Sequence, residues 1–279
     1  MNIFNVVLIE PLANGLILFY KLLGGNMGLA IIGFSFALRF LLNPLTKPYM
    51  QSMKRMKDFE PQLAKLKERH KDDKKKLMEA QTEFYKQKGI NPGAGCLPYL
   101  LQIVVLIALF NVFTRVLSPN GDVVVKFNEL LYSPLRFVEG EALNTRFLYL
   151  DITKPDCFGS GKCLPIPFKL PFPLPGPILI FAALLQFASA KMMTPFQKLE
   201  EKVAKKTKGA TDDLQISMQK SMSLTFPLFT LIFGLSFPSG LALYWLLFSL
   251  FQLLQQYKTS GWGGLTPLAT KIGLLKGQS

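Results

Sequence analysis

Met27-Gly-Leu-Ala-Ile-Ile-Gly-Phe-Ser-Phe-Ala-Leu-Arg-Phe-Leu-Leu-Asn-Pro-Leu45 is an apolar run broken by one charge, Arg39. Crossing a bilayer as a helix takes about 20 mostly apolar residues, and this run approaches that length. A guanidinium cannot shed its proton to enter lipid. Holding it at mid-bilayer costs on the order of 3 kcal/mol on insertion scales, so an intramembrane arginine points to a use for the charge. At about 1.5 Å per residue, Arg39 lies roughly 9 Å from Leu45 and roughly 18 Å from Met27, nearer the Leu45 end.

The rest of the chain repeats this separation of charge from apolar sequence. Its 279 residues are 49% hydrophobic and carry a net charge of +14, yet mean hydropathy is positive. Lysine and arginine are concentrated in 47–88 and 191–220, with long apolar runs between. The pattern is that of an all-α polytopic membrane protein. It argues against DNA as a partner and leaves ribosomal RNA and anionic lipid headgroups, whose phosphates suit clustered cations.

Five spans are expected at 27–45, 96–117, 176–193, 221–237 and 239–257. Segment 46–95 is far richer in Lys and Arg than 118–175, and 194–220 is basic again. The positive-inside rule therefore puts 46–95, 194–220 and the tail 258–279 in the cytoplasm, and the N-terminus and 118–175 outside. Residues 1–26 show no cleavable signal pattern, because Glu10-Pro11 and Asn14 interrupt the apolar stretch. They predict an interfacial amphipathic helix starting near Pro11 and burying Leu12, Leu16, Phe19 and Leu23.

Within 46–95, Met56, Phe59, Leu63 and Leu66 form one seam and Leu77, Ala80 and Phe84 another, on either side of a polar turn at 70–73. That predicts a helical hairpin whose first helix kinks or restarts at Pro61. A hairpin so basic is either a solvated face or a docking arm for a large partner. In 118–175, Val123 to Val125 favour β structure, and the prolines from Pro165 to Pro177 favour an extended path. Cys157 and Cys163, with five residues between them, are a candidate disulfide in an oxidising exterior; Cys96 stands apart from them.

Arg39 either snorkels to the inner headgroups or projects into a wet cavity open to the cytoplasm. Asn43, Gln102, Asn111, Gln186, Ser189 and Gln252 would line such a cavity, or would serve only as interhelical hydrogen-bond partners. No acidic residue lies near the middle of a span, so Arg39 lacks a counter-ion there. Phe226, Phe229, Phe233 and Phe237 make an aromatic stripe on the fourth span, facing lipid, core or an apolar substrate. No metal or cofactor motif is present. The single histidine, His70, excludes His-rich sites, and Gly159-Ser-Gly-Lys162 lacks phosphate-loop spacing.

Several blocks resemble the YidC/Oxa/Alb family of membrane-protein insertases. They are Lys71-Asp-Asp73, Tyr85-Lys86, Gly89-Ile-Asn-Pro92, Gly95-Cys-Leu-Pro98, Gly28-Leu-Ala-Ile-Ile32 with Arg39 and Pro44, and Phe237-Pro-Ser-Gly-Leu-Ala-Leu-Tyr-Trp245. The resemblance covers nearly the whole chain. It implies a five-helix core in the bacterial plasma membrane, with a cytoplasm-facing hydrophilic groove containing Arg39. It also implies a substrate slide on the second and fourth spans, here Ile103, Ile107, Phe110, Phe226, Phe229 and Phe233. The partners it implies are nascent membrane proteins, the ribosome, membrane lipids and the Sec translocon. The 118–175 loop is long for that family, and its two cysteines are unusual. The competing classes are an anion-binding transporter or channel and a ribosome-tethering scaffold.

Overall fold

The computed structural model describes residues 3–70, 73–89, 97–116, 123–138, 140–159, 163–165, 172–193 and 224–273. The basic segment 194–220 lies outside them, as do 90–96, with the Asn91-Pro92 block and Cys96. The described chain is mostly helical and falls into two compact units. One comprises Met1–Asn43, Tyr99–Leu184 and Leu228–Leu250; the other comprises Pro44–Pro98, Leu185–Pro227 and Phe251–Ser279.

A π-helical turn, Asn5–Ile9, runs into α1, Glu10–Leu22. The helical backbone therefore starts before Pro11, which follows the π-helical turn at the second position of α1. Its buried stripe is Ile9, Leu12, Ala13, Leu16, Ile17 and Tyr20. Phe19 is half-buried and Leu23 is 39% exposed. Asn14 does not interrupt the helix. Its Nδ2 donates to Glu10 O at 2.8 Å and Leu130 O at 2.9 Å, and its Oδ1 receives Tyr132 N–H. Stretches Asn5–Leu22 and Met27–Thr46 are each long and apolar enough to cross a membrane.

Gly24 and Gly25, with φ of 76° and 69°, turn the chain into α2, Met27–Asp58. Asn26 caps α2, accepting from Leu29 N. Two glycines bring α1 against α2: Gly15 faces the Phe34 ring, and Gly33 faces Phe19 and Leu23.

α5 is Leu97–Val116, and α6 is the single-turn helix Val123–Asn128. The β expectation for Val123 to Val125 is thus overturned. Burial of Val124 and Phe127, three apart, fits helical rather than alternating spacing. Two short antiparallel pairs follow: β1, Arg146–Phe147, with β2, Leu150–Asp151, then β3, Cys157–Phe158, with β4, Leu174–Pro175. Cys157 and Cys163 are disulfide-bonded, their Cα atoms 4.9 Å apart.

α7 is Pro177–Met193, α8 is Leu224–Gly234, and α9 is Ser239–Ser260. Segment 144–156 meets the first turns of α2, α7 and α9. Asn144 O receives Met27 N–H at 3.1 Å. Asp156 Oδ2 receives Leu179 N–H at 2.9 Å, a cap supplied from distant sequence. Ile152 O and Lys154 O receive Gly240 and Ser239 N–H, and Asp151 O receives the Ser239 hydroxyl. Asp156 is fully buried and also accepts from the Tyr149 hydroxyl at 2.9 Å. Burial raises its pKa above the ordinary aspartate range, against the opposing hydrogen bonds. Burial, then the Asp156 hydrogen bond, raises that of Tyr149, which stays a donor.

In the second unit, α3, Glu60–Arg69, and α4, Lys74–Gln87, form the hairpin. The break falls at Phe59, with Pro61 in the first turn of α3. The seam includes an edge-to-face pair, Phe59 with Phe84, ring centroids 6.0 Å apart, and a buried Leu77. Asp73 caps α4 through Lys75 and Lys76 N–H, which hold its carboxyl below the usual range. The Met56 side chain lies outside the described residues. A 3₁₀ turn, Gly263–Leu265, leads into α10, Thr266–Lys271.

Candidate functional site

α2 carries Arg39 one turn after Ser35, whose buried hydroxyl is satisfied by Ile31 O at 2.6 Å. Leu38, its neighbour, is buried, whereas Phe36, Phe40 and Leu41 are exposed. Arg39 is half-buried at this boundary. Its Cζ lies 6.0 Å from the Phe248 ring centroid of α9, a cation–π distance that orients the guanidinium without neutralising it. Among the described residues Arg39 has no acidic partner.

The other expected groove residues divide between the units. Asn43 is exposed, one turn past Arg39 on α2. Asn111 donates to Ile107 O of its own helix at 2.7 Å, so its amide N–H is turned back onto α5. The Gln102 side chain lies outside the described residues. In the second unit, Gln186 and Ser189 are buried three residues apart on α7, and Gln252 is half-buried on α9. Ser189 is 1% exposed, and its Oγ has no hydrogen-bond partner among the described residues.

Of the expected slide residues in the first unit, Ile103 and Ile107 are each 46% exposed on one face of α5. Phe229 and Phe233 are exposed on α8 and stack with centroids 4.1 Å apart; Phe229 also meets the buried Trp245 edge-on at 6.5 Å. Phe226 is exposed and belongs to the second unit. Phe237 leaves the stripe, because α8 ends at Gly234. It turns edge-on to Phe110 instead, centroids 5.1 Å apart. Gly234 is packed against Leu179, and Pro238 cannot continue the helix.

The family blocks acquire physical reasons here. A side chain at Gly28 would collide with the Phe147 ring, and one at Gly240 would press on Phe113 and Ile31. Sequence reasoning missed Asn14, Asp156 and Tyr149, whose partners are non-local.

These apolar helices, with a half-buried arginine beside exposed apolar faces, are those of a helical membrane protein. The family described as 60Kd inner membrane protein matches residues 18–262, and the chain belongs to that family. Among its relatives is a protein named Membrane protein insertase YidC from Pelobacter propionicus, 33% identical over 250 residues. That alignment takes in 90% of this chain but 38% of the relative. A protein of the same name from Shewanella sp. strain ANA-3 is 32% identical over 86% of this chain and 35% of its own length. One from Fusobacterium nucleatum is 29% identical over 84% of this chain and 85% of its own length. The chain thus spans little more than a third of the first two relatives.

Proposed function

We propose that this chain is a membrane-protein insertase, as its relatives are named, moving nascent transmembrane segments from the cytoplasm into the bilayer. The observation that carries the reading is Arg39, half-buried on an apolar helix with no acidic partner among the described residues. An incoming chain with an acidic tail supplies that partner in passing. One such contact at about 4 Å contributes roughly 4 kcal/mol at an effective dielectric near 20, before desolvation. That is comparable with the cost of taking a carboxylate to the bilayer centre.

In this reading a hydrophilic groove of Arg39, Asn43, Gln102, Asn111, Gln186, Ser189 and Gln252 shortens the lipid path of a polar segment. The apolar part of the substrate slides along Ile103, Ile107, Phe229 and Phe233 into lipid, driven by the hydrophobic effect. The membrane potential, about 2.3 kcal/mol per charge per 100 mV, assists acidic tails moving outward. The chain's own residues make and break no bond.

The proposed arrangement is five spans, N-terminus outside and C-terminus in the cytoplasm of a bacterium. Two observations support it. α2, α7 and α9, the first, third and fifth spans, all start at segment 144–156 of the long loop. α1 bonds to that same loop region through Asn14, Tyr20 and Lys21, as an interfacial helix on the outer face requires. The basic hairpin and segment 194–220 then face the cytoplasm, where a ribosome or the Sec translocon delivers the substrate.

Site-specific crosslinking tests the reading. A photoreactive residue at Ile103 or Phe229 should capture a stalled nascent chain as its apolar segment passes. Capture confined to the hairpin, with none at these positions, refutes insertion along the slide and leaves a tether.

A further inference from the structure

The two-residue turn between β1 and β2 is Leu148-Tyr149. Leu148 has a φ of 53°, the one positive value among the described non-glycine residues. A branched apolar side chain is disfavoured in this region, where hairpins use glycine or asparagine. Leu148 is also 81% exposed, the highest exposure among the large apolar side chains described. In water the residue is therefore unfavourable twice over, in conformation and in solvation. Something in its surroundings must reward an apolar group held in that position.

Its neighbours identify those surroundings. Phe147 fills the space over Gly28 in the first turn of α2. Tyr149 Oη receives Ile178 N–H from the first turn of α7 at 3.3 Å while donating to Asp156. Leu148 thus stands between two residues fixed to the outer ends of two spans. The apolar surface of those spans begins within a turn of the same contacts, at exposed Leu29 on α2 and exposed Ile180 and Phe181 on α7. Arg146, exposed, and the half-exposed Tyr149 complete a composition suited to the headgroup level, where aromatic and basic groups sit above apolar ones.

We propose that the β1–β2 hairpin is an interfacial anchor, with the Leu148 side chain inserted in the outer leaflet beside α2 and α7. The occupant of this apolar tip is lipid, because the tip continues the lipid-facing surface of two spans. Tyr149 and the Asp156 carboxylate hold the hairpin rigid, so the strained turn presents Leu148 with little loss of order on insertion. The proposal rests on the membrane placement of α2 and α7 and is independent of what the groove carries.

The test uses the full chain carrying Cys96→Ser and Leu148→Cys, labelled with an environment-sensitive fluorophore. The Cys157–Cys163 bond is left intact. The protein is reconstituted at high lipid-to-protein ratio in phosphatidylethanolamine–phosphatidylglycerol vesicles containing nitroxide lipids. Labels at Leu29→Cys and Phe181→Cys report the spans, and one at exposed Glu141→Cys reports water. The Leu148 label is expected to emit to the blue and lose about half its intensity to a nitroxide near the headgroups. That matches insertion of roughly 5–10 Å. Water-like, unquenched emission at Leu148, with quenching at Leu29 and Phe181, overturns the anchor and leaves the spans intact. A blue-shifted but unquenched label means that protein, a second copy included, covers the tip, and overturns it also. Loss of quenching at Leu29 and Phe181 defeats the membrane placement and the anchor with it.

Discussion

The backbone N–H of Tyr132 donates to Asn14 Oδ1 at 2.7 Å, joining residues 118 positions apart. With the Asn14 amide donating to Leu130 O, one buried side chain satisfies two backbone groups of a loop that has little regular structure. Asn14→Leu strands both groups. It should lower stability by about 2–3 kcal/mol, since each unsatisfied buried group costs about 1–3 kcal/mol. Thermal unfolding in mild detergent, followed by tryptophan fluorescence, measures the loss; an unchanged midpoint would show that water replaces the amide.

Asp156 makes stability depend on pH in a defined direction. Its native pKa is raised above the reference 3.8, so between 3.8 and the higher native value the folded state binds more protons than the unfolded one. Its contribution is full below 3.8 and is lost as pH rises through the native value. Unfolding midpoints should therefore fall across that window in the wild type. Asp156→Asn should flatten this slope, which parallel unfolding curves at several pH values will reveal.

Close approach at two glycines predicts steric sensitivity. Gly28→Leu must displace the Phe147 ring, and Gly240→Val must displace Phe113 and Ile31. Each should cost about 1–3 kcal/mol, the range for overpacking a filled site. Phe147→Ala should rescue Gly28→Leu in part, because it removes the obstructing ring. A double-mutant cycle on unfolding midpoints checks the coupling.

Arg39 separates charge from shape. Arg39→Lys should retain insertion, and Arg39→Ala should reduce it about tenfold for substrates with acidic tails, a net loss of about 1.4 kcal/mol. Substrates with uncharged tails should change little. Quantifying translocated tails by protease protection across such a panel decides the matter, and equal insertion by all three proteins removes Arg39 from the mechanism.

The cysteines make a direct chemical prediction. Alkylation of the unfolded, unreduced protein should modify Cys96 alone, and digestion should recover Cys157 and Cys163 in one linked peptide. Replacing the pair by serine should cost about 2 kcal/mol through the freed loop. Mass spectrometry and unfolding curves give the two readouts.

What the sequence discloses follows the range of each interaction. The hairpin seam is legible because Phe59 and Phe84 repeat at helical spacing on helices a few residues apart. The end of α8 is not, because a three-and-four spacing carries Phe237 onto the stripe, whereas Gly234 and Pro238 stop the helix first. Asn14 reads as a polar interruption because the two loop groups it satisfies lie more than a hundred residues away. Val123 to Val125 favour strands by propensity, and packing of Val124 and Phe127 overrides it. Arg39 stands out from its charge alone, but its neighbour Phe248 belongs to a helix two hundred residues later.

The segment from Asn144 to Asp156 also sets an order of events. Its carbonyls and carboxylate pair with Met27, already made, and wait for Leu179, then for Ser239, made 88 residues after Asp151, and for Gly240. Pairings of this separation form slowly, because long loops must close before any contact is gained. A chain halted before residue 239 leaves the carbonyls of Asp151, Ile152 and Lys154 without these partners. This end of the first unit is therefore locked only when α9 has begun, so synthesis of α9 times its completion.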